Sequence, residues 1–275
     1  MITLRPDYYD SFKCIADKCR HTCCAGWEID IDEDSMALYR ERPDIMCHIK
    51  DSSFVLQGKD ERCPFLLENG LCRLILEYGE DILCDVCTEH PRFYNYQDDI
   101  EYIGLGLCCE AACDLILGRE GPFRLIRGVV TDDGEVLGSD PCDDIPFGIG
   151  EVNEFEGKIS ELLAGLSPEE RDSRERAKFY LSLEFLDPAW QEMLRELESK
   201  GTAAEERDAC IDCFSREFRN LIAYFLYRHM GNRAIAAESV RLIAEMTLSS
   251  GLPLREVSRM YAVEIEYSDV NTTKL

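Results

Sequence analysis

Four cysteines within eleven residues, Cys14, Cys19, Cys23 and Cys24 in FKCIADKCRHTCCAGW, constrain this chain more than any other feature. Further thiols follow at Cys63 and Cys72, at Cys84 and Cys87, and at Cys108, Cys109 and Cys113. Twelve of the 15 cysteines fall in the first 113 residues. Sulfur at this density binds a soft metal, forms disulfides, or is buried as free thiol. The segment MITLRPDYYDSFK lacks the basic stretch and apolar core of a secretory leader. A cytoplasmic chain is therefore expected, and in a reducing compartment dense cysteine points to metal ahead of disulfide. An odd total of 15 also fits a closed disulfide framework poorly.

The net charge of −25 opposes any surface built to hold phosphate backbones, which needs clustered Lys and Arg. It opposes anionic lipid in the same way. The apolar run Leu221 to Leu226 is far too short to span a bilayer. Neither nucleic acid nor membrane is expected as a partner.

The chain reads as mainly α, with a small irregular α+β cysteine-rich N-terminal half and a helical C-terminal half. Three divisions are expected: a metal-binding domain over 1–120, a linker or excursion over 121–153, and an α-helical domain over 154–275. In the first, Asp34–Arg40 predicts a short helix begun by acidic residues. CPFLLENGLCRLIL predicts a strand, a turn at Asn69-Gly70 and a helix, with Cys63 and Cys72 flanking the turn. Cys84 and Cys87 stand one helical turn apart before Pro91. EYIGLGL predicts a strand and CCEAACDLILGRE a helix. In the last division, Ser167-Pro168-Glu169-Glu170 and Asp187-Pro188 are helix starts. Phe214, Phe218, Leu221, Ile222, Phe225 and Leu226 recur at helical spacing, as a core stripe. Ile235–Leu248 and Leu254–Tyr261 predict two more helices.

Thiolates favour zinc, iron–sulfur clusters or copper(I), and one zinc or one [4Fe–4S] cluster takes about four of them. The supply here exceeds one site. Adjacent cysteines such as Cys23-Cys24 serve two sites, or one ligates while the other packs. Only Cys84-x2-Cys87 has the clean pair form of a zinc finger, and the irregular spacing tilts the balance from zinc toward iron–sulfur. The radical-type Cys-x3-Cys-x2-Cys triad is not completed, because Gly26 and Ile116 stand at its third position. His21 and His90 read as polar neighbours more than as ligands. Phosphate loops, nucleophile elbows and His-Glu-x-x-His pairs are absent.

PDYYDSFKCIADKCRHTCCAGWEIDID resembles the opening of the flagellin lysine-N-methylases (FliB-type), within a wider group of cysteine-rich zinc- or iron-chelating domains. The resemblance continues through CPFLLENGLCRLILEYGEDILCDVCTEHPRFY, EYIGLGLCCEAACDLIL, FRNLIAYFLYRHM and VEIEYSDVN. It places the family's cysteines on Cys14, Cys19, Cys23, Cys24, Cys63, Cys72, Cys84, Cys87 and Cys109. His90 and the step Cys108-Cys109-Glu110 depart from the family's pattern. The resemblance implies methyl transfer from S-adenosylmethionine to flagellin lysines, with an iron–sulfur cluster, most simply 4Fe–4S, and zinc as the alternative. No glycine-rich methyl-donor loop is present. A rival reading is a non-enzymatic metal-chelating or metal-delivery protein. Tyr8, Tyr9, Trp27, Glu28 and Asp30 flank the first thiols and are candidates to line an amine or accept its proton. The competing reading makes Trp27 and the tyrosines packing around the metal site.

Overall fold

A computed structural model describes residues 1–131, 136–168 and 171–275. In chain order its elements begin with β1 (Ile2–Pro6), α1 (Glu33–Arg40), α2 (Pro43–Met46), β2 (Ile49–Lys50), β3 (Ser53–Phe54), α3 (Arg73–Tyr78) and α4 (Asp85–Glu89). They continue with β4 (Arg92–Gln97), β5 (Ile100–Leu105), α5 (Glu110–Gly118), β6 (Leu125–Val130), β7 (Val136–Cys142), α6 (Ile149–Glu154) and α7 (Ile159–Leu166). The last are α8 (Ser173–Leu181), α9 (Pro188–Lys200), α10 (Ala204–Cys213), α11 (Ser215–Arg228), α12 (Arg233–Ser250), α13 (Leu254–Tyr261) and α14 (Asp269–Thr272). About half of the chain is helical, and a mixed sheet accompanies the helices. Among the described residues no helix is long and apolar enough to cross a membrane.

The chain forms two compact units, and they do not follow boundaries at 120 and 153. One is Lys13–Phe93 with Cys109–Ala111; the other is Met1–Phe12, Tyr94–Cys108 and Ala112–Leu275. The N-terminal strand and β5 thus join the C-terminal helices rather than the thiol-rich segment.

In the larger unit the sheet runs β4-β5-β1-β6-β7. β1 lies parallel to β5 (Ile2 opposite Ile100) and antiparallel to β6 (Leu4 opposite Arg127). A central strand covered on both faces shows no alternation, and Thr3, Leu4, Arg5 and Pro6 are all buried. The segment expected as a linker instead holds β6, β7 and α6, while its residues 132–135 lie outside the described ones. Pro141 is tolerated in β7 because that strand is the sheet edge.

The helices form where the sequence caps and periodicity place them. The Asp187 side chain accepts from Ala189 N, and Pro188 opens α9. The stripe on α11 is core: Phe218, Leu221, Ile222, Phe225 and Leu226 are fully buried, while Phe214, which precedes the helix, is exposed. The Tyr227 hydroxyl donates to the Leu4 carbonyl (2.7 Å), with the Ile103 carbonyl at 3.1 Å, so α11 is fixed to two neighbouring strands. α12 ends at Gly251, whose φ of +68° is the left-handed cap that glycine adopts without strain. Of the helix start expected at Ser167–Glu170, Glu169 and Glu170 lie outside the described residues.

The smaller unit packs short elements around Ile29, Ile31, Met36, Tyr39, Phe54 and Phe65. Asp51 and Ser52, at φ +50° and +66°, make the tight hairpin between β2 and β3. The Tyr39 hydroxyl donates to the Ile82 carbonyl across this core (2.7 Å).

Candidate metal centre

All nine cysteines matched by the resemblance fall in the smaller unit, with Cys109 brought to it from the start of α5. Of the six others, only Cys47 lies there; Cys108, Cys113, Cys142, Cys210 and Cys213 belong to the larger unit. Every cysteine is a free thiol.

Cys63 and Cys84 are members of the small apolar core, and Cys24, Cys72 and Cys87 pack against it. Local backbone bonds hold them there. Cys63 N donates to the Cys24 carbonyl (2.8 Å). Leu66 and Cys72 form an isolated antiparallel bridge that closes the Asn69-Gly70 turn. Asn69 Oδ1 accepts from Leu71 N (3.1 Å). Gly70 has φ +81°, and a Cβ there would meet Asp17 Cα at 3.3 Å, so the turn sits directly on the loop carrying Cys14 and Cys19. Cys84 stands at the N-terminus of α4, and Cys87 N donates to its carbonyl (3.0 Å).

Cys14 and Cys23 are exposed, and Cys19 and Cys109 are half-buried. The Cys19 sulfur lies 3.3 Å from the His21 carbonyl and 3.7 Å from Glu110 Oε2. Glu110, which follows Cys109, accepts from Arg20 N (2.9 Å) and from Arg20 Nε (2.7 Å). Burial pushes its carboxyl up, but the Arg20 N–H and guanidinium outweigh that and hold it below the usual carboxylate value.

In two thiol pairs the partners shift in opposite directions. The hydrogen bond between Cys23 and Cys24 lowers Cys24 to about 6 and raises Cys23. That between Cys84 and Cys87 lowers Cys84 to about 7 and raises Cys87. Burial pushes Cys63 up to about 12 and Cys19 to about 11, and it raises Cys72. Cys63, Cys72 and Cys87 each feel the charge of Cys24; Cys23 feels Cys24 first and then Cys14 and Cys109, and Cys19 feels Glu110 and then Cys109.

The donor set fits a thiolate-bound soft metal in kind. Among the described residues no three His, Cys, Asp or Glu side chains stand in metal-holding geometry. His90 packs on Trp27 with ring centroids 5.9 Å apart, and burial lowers its pKa to about 4, so it is a neutral packing partner at pH 7.

The other candidates are divided between the units. Tyr8 and Tyr9 lie in the larger one, where burial raises Tyr8 and Phe123 packs on its edge at 6.4 Å. Trp27, Glu28 and Asp30 lie in the smaller. The Trp27 indole N–H donates to the Cys23 carbonyl (2.7 Å), and Asp30 Oδ1 accepts from the Ser53 hydroxyl (2.8 Å). Glu28 is exposed. Sequence reasoning missed Glu110 and Asp32, the side chains that tie the thiol loops together. Asp32 Oδ1 accepts from Ser35 N (2.7 Å), and its Oδ2 accepts from Asp85 N, the residue after Cys84 (2.9 Å). Two surface depressions, of about 350 and 460 Å³, lie on the helical unit near Phe179 and near Gly201, and neither is lined by a thiol.

Nine thiols on a small, loop-rich unit define a cysteine-rich protein. Comparison with known proteins narrows this. The chain is 27% identical over 135 aligned residues to proteins named Lysine-N-methylase from Salmonella typhimurium and Salmonella choleraesuis. The match covers 44% of this chain and 33% of each of theirs. It is 26% identical over 135 residues to the Flagellar biosynthetic protein FliU of Salmonella muenchen, covering 79% of that protein. The chain thus spans about a third of the length of the lysine-N-methylases it matches. No protein-family profile matches the chain, and no solved structure does. Over these 135 residues the chain is similar to the lysine-N-methylases and to FliU.

Proposed function

We propose that this chain catalyses N-methylation of lysine side chains on flagellin in the cytoplasm, with S-adenosylmethionine as methyl donor and a metal centre held by its thiols. An iron–sulfur cluster is the favoured metal centre and zinc the alternative. The observation that carries the reading is the 27% identity over 135 residues to proteins named Lysine-N-methylase. The gathering of nine thiols in one unit supports the metal.

A lysine nucleophile must first lose its proton, which at pH 7 costs about 4.6 kcal/mol for an exposed side chain of ordinary pKa. Burying the amine, lining it with aromatic faces, or offering a proton acceptor lowers that cost. Tyr8, with its pKa raised by burial, stays a phenol and serves as a hydrogen-bond donor or aromatic wall. The Asp30 carboxylate already accepts from Ser53, and the Trp27 indole is committed to Cys23. Glu28 is left as the candidate proton acceptor on the smaller unit. A bound metal supplies cross-links among loops whose apolar core is small, so its binding free energy becomes folding free energy. Methyl transfer to an amine nitrogen needs no radical, in keeping with the missing third cysteine of the radical-type triad.

The test is to purify the protein without oxygen, record metal content and visible spectrum, and incubate it with S-adenosylmethionine and unmodified flagellin. The expected result is a series of methyl increments in the intact mass of flagellin, mapping to lysines. Bound metal with no mass change overturns the methylase reading in favour of a chelating or metal-delivery protein.

A further inference from the structure

We propose that the depression at Phe179 on the helical unit is a docking site for an alkylammonium group, the side chain of a lysine in a bound polypeptide, and that Arg171 fills it when no ligand is present. That the amine comes from a polypeptide lysine rests on the function proposed above; the site itself does not.

Arg171 shows what the site holds. Its guanidinium stands over the Phe179 ring, 4.3 Å from the centroid. Its Nη1 donates to Glu238 Oε1 (3.0 Å). An aromatic face and a carboxylate are thus already arranged around one cation, the combination by which proteins hold ammonium groups. The carboxylate is fixed from behind. Arg176, fully buried on α8, places Nε 3.2 Å from Glu238 Oε2, and its Nη2 donates to the Arg171 carbonyl (3.0 Å). Glu245 pairs with the same guanidinium through Nη1. Glu238 therefore keeps its place when Arg171 swings away, and its Oε1 becomes free. Ala234 and Ile235, at the start of α12, add an apolar wall to the depression of about 350 Å³. An aliphatic stem can lie along such a wall while its charged end reaches the carboxylate.

The internal occupant is easily displaced. The Arg171 side chain is 47% exposed, and ion pairs of that kind are weak. A lysine brings a compact charge on a flexible four-carbon stem to the same two groups. The net charge of −25 draws basic segments toward the chain. Both the ring face and the carboxylate favour the charged amine, whereas a methyl acceptor must be neutral. The site therefore holds a lysine other than the one that reacts, and it tolerates a methylated lysine, whose cation suits an aromatic face.

The experiment measures binding of Nα-acetyl-lysine methylamide to the full chain by calorimetry. Nα-acetyl-norleucine methylamide, which lacks the ammonium, and 1,5-diaminopentane, a free amine, are run beside it. Wild type should bind the lysine probe weakly and the norleucine probe not at all. An internal occupant lowers apparent affinity by the fraction of molecules left open, so Arg171→Ala should tighten lysine binding about tenfold. Adding Phe179→Leu should abolish that gain with circular dichroism unchanged; where the fold is disturbed, Glu238→Gln in the Arg171→Ala background gives the same reading. Unchanged lysine affinity in Arg171→Ala, or norleucine binding equal to lysine binding, overturns the proposal. Preference for the free diamine over the lysine probe overturns the polypeptide as the source of the amine. Lysine binding without methylation of flagellin supports the site and overturns the methylase reading. Methylation with no lysine binding in either protein does the reverse.

Discussion

Asp32 is expected to stabilise the thiol-bearing unit out of proportion to its size. Its Oδ1 caps α1, and its Oδ2 takes Asp85 N–H, the first backbone donor of α4. α4 has no side-chain cap of its own. An N-cap Asp→Ala change costs about 1 kcal/mol. A hydrogen bond to a charged acceptor contributes about 1.5–3 kcal/mol. Repulsion between Asp32 and Asp85, which raises the Asp85 pKa, is relieved in the variant and returns a few tenths. The net expectation for Asp32→Ala is a loss of about 2–4 kcal/mol. Asp32→Asn keeps a competent cap, but its amide NH2 faces Asp85 N–H, so it loses about 1–2 kcal/mol.

The assay is urea denaturation in a Trp190→Phe background, so that Trp27, the remaining tryptophan, reports the smaller unit. The midpoint should fall in the order wild type, Asn, Ala, at constant slope. The hydrogen bonds from Asp85 N and Ser35 N outweigh burial and hold the Asp32 carboxyl below its usual value. A depressed folded-state pKa gives stability that is present above the unfolded value, near 3.9, and lost as pH falls through the folded one. The gap between wild type and Asp32→Ala should therefore be constant from about pH 5 to 7 and shrink below about pH 4. Equal losses for Ala and Asn, or a gap that persists at pH 2, would refute the account.

Three further outcomes are expected. Arg176 on α8 is fully buried, 2.5 Å from Glu245 on α12 and 3.2 Å from Glu238. Arg176→Met should cost about 3–5 kcal/mol by stranding a buried carboxylate, and Arg176→Met/Glu245→Met should recover most of it; equal losses in the two variants, read by Trp190 fluorescence, would count against this. Stripping metal with a chelator should open residues 13–93 to protease while the helical unit stays resistant. Retained resistance there would mean that metal does not hold this unit. Trp27→Ala removes the indole bond to the Cys23 carbonyl and should speed metal release. If both metal content and methylation are unchanged, Trp27 has no part in the site.

Elements whose causes are local were legible in the sequence. The acidic start of α1 and the Asp187 cap of α9 are read from the residues, the Asn-Gly turn brings Cys72 opposite Leu66, and the spacing from Phe218 to Leu226 gives α11. The sheet was not. β1 is five residues with no alternation, because residues on both of its faces are buried. β6 and β7 sit among the glycines, proline and acids that elsewhere mark a loop. That Cys109 joins the other eight cysteines in one unit was not legible, because its place depends on contacts such as Glu110 to Arg20, 90 residues apart in sequence.

The resemblance blocks that carry no metal-matched thiol meet a different physical need. In VEIEYSDVN, Glu264 accepts from Leu186 N (2.7 Å) and Asp187 N (2.9 Å). Glu266 takes the Tyr224 hydroxyl (2.7 Å) and has His229 Nε2 at 3.4 Å and Arg228 Nε at 3.8 Å, all three from FRNLIAYFLYRHM. Asn271 bonds to Glu184 and to the Glu264 carbonyl. Leu107 N, from EYIGLGLCCEAACDLIL, approaches the Tyr224 hydroxyl at 3.4 Å. A buried carboxylate is tolerated only with such partners fixed around it. The pattern of these blocks is therefore a requirement for burying Glu264 and Glu266, and it holds with or without a reacting group nearby. Resemblance in the tail supports the fold of the helical unit, and the case for chemistry rests on the thiol-bearing unit and on the relatives' names.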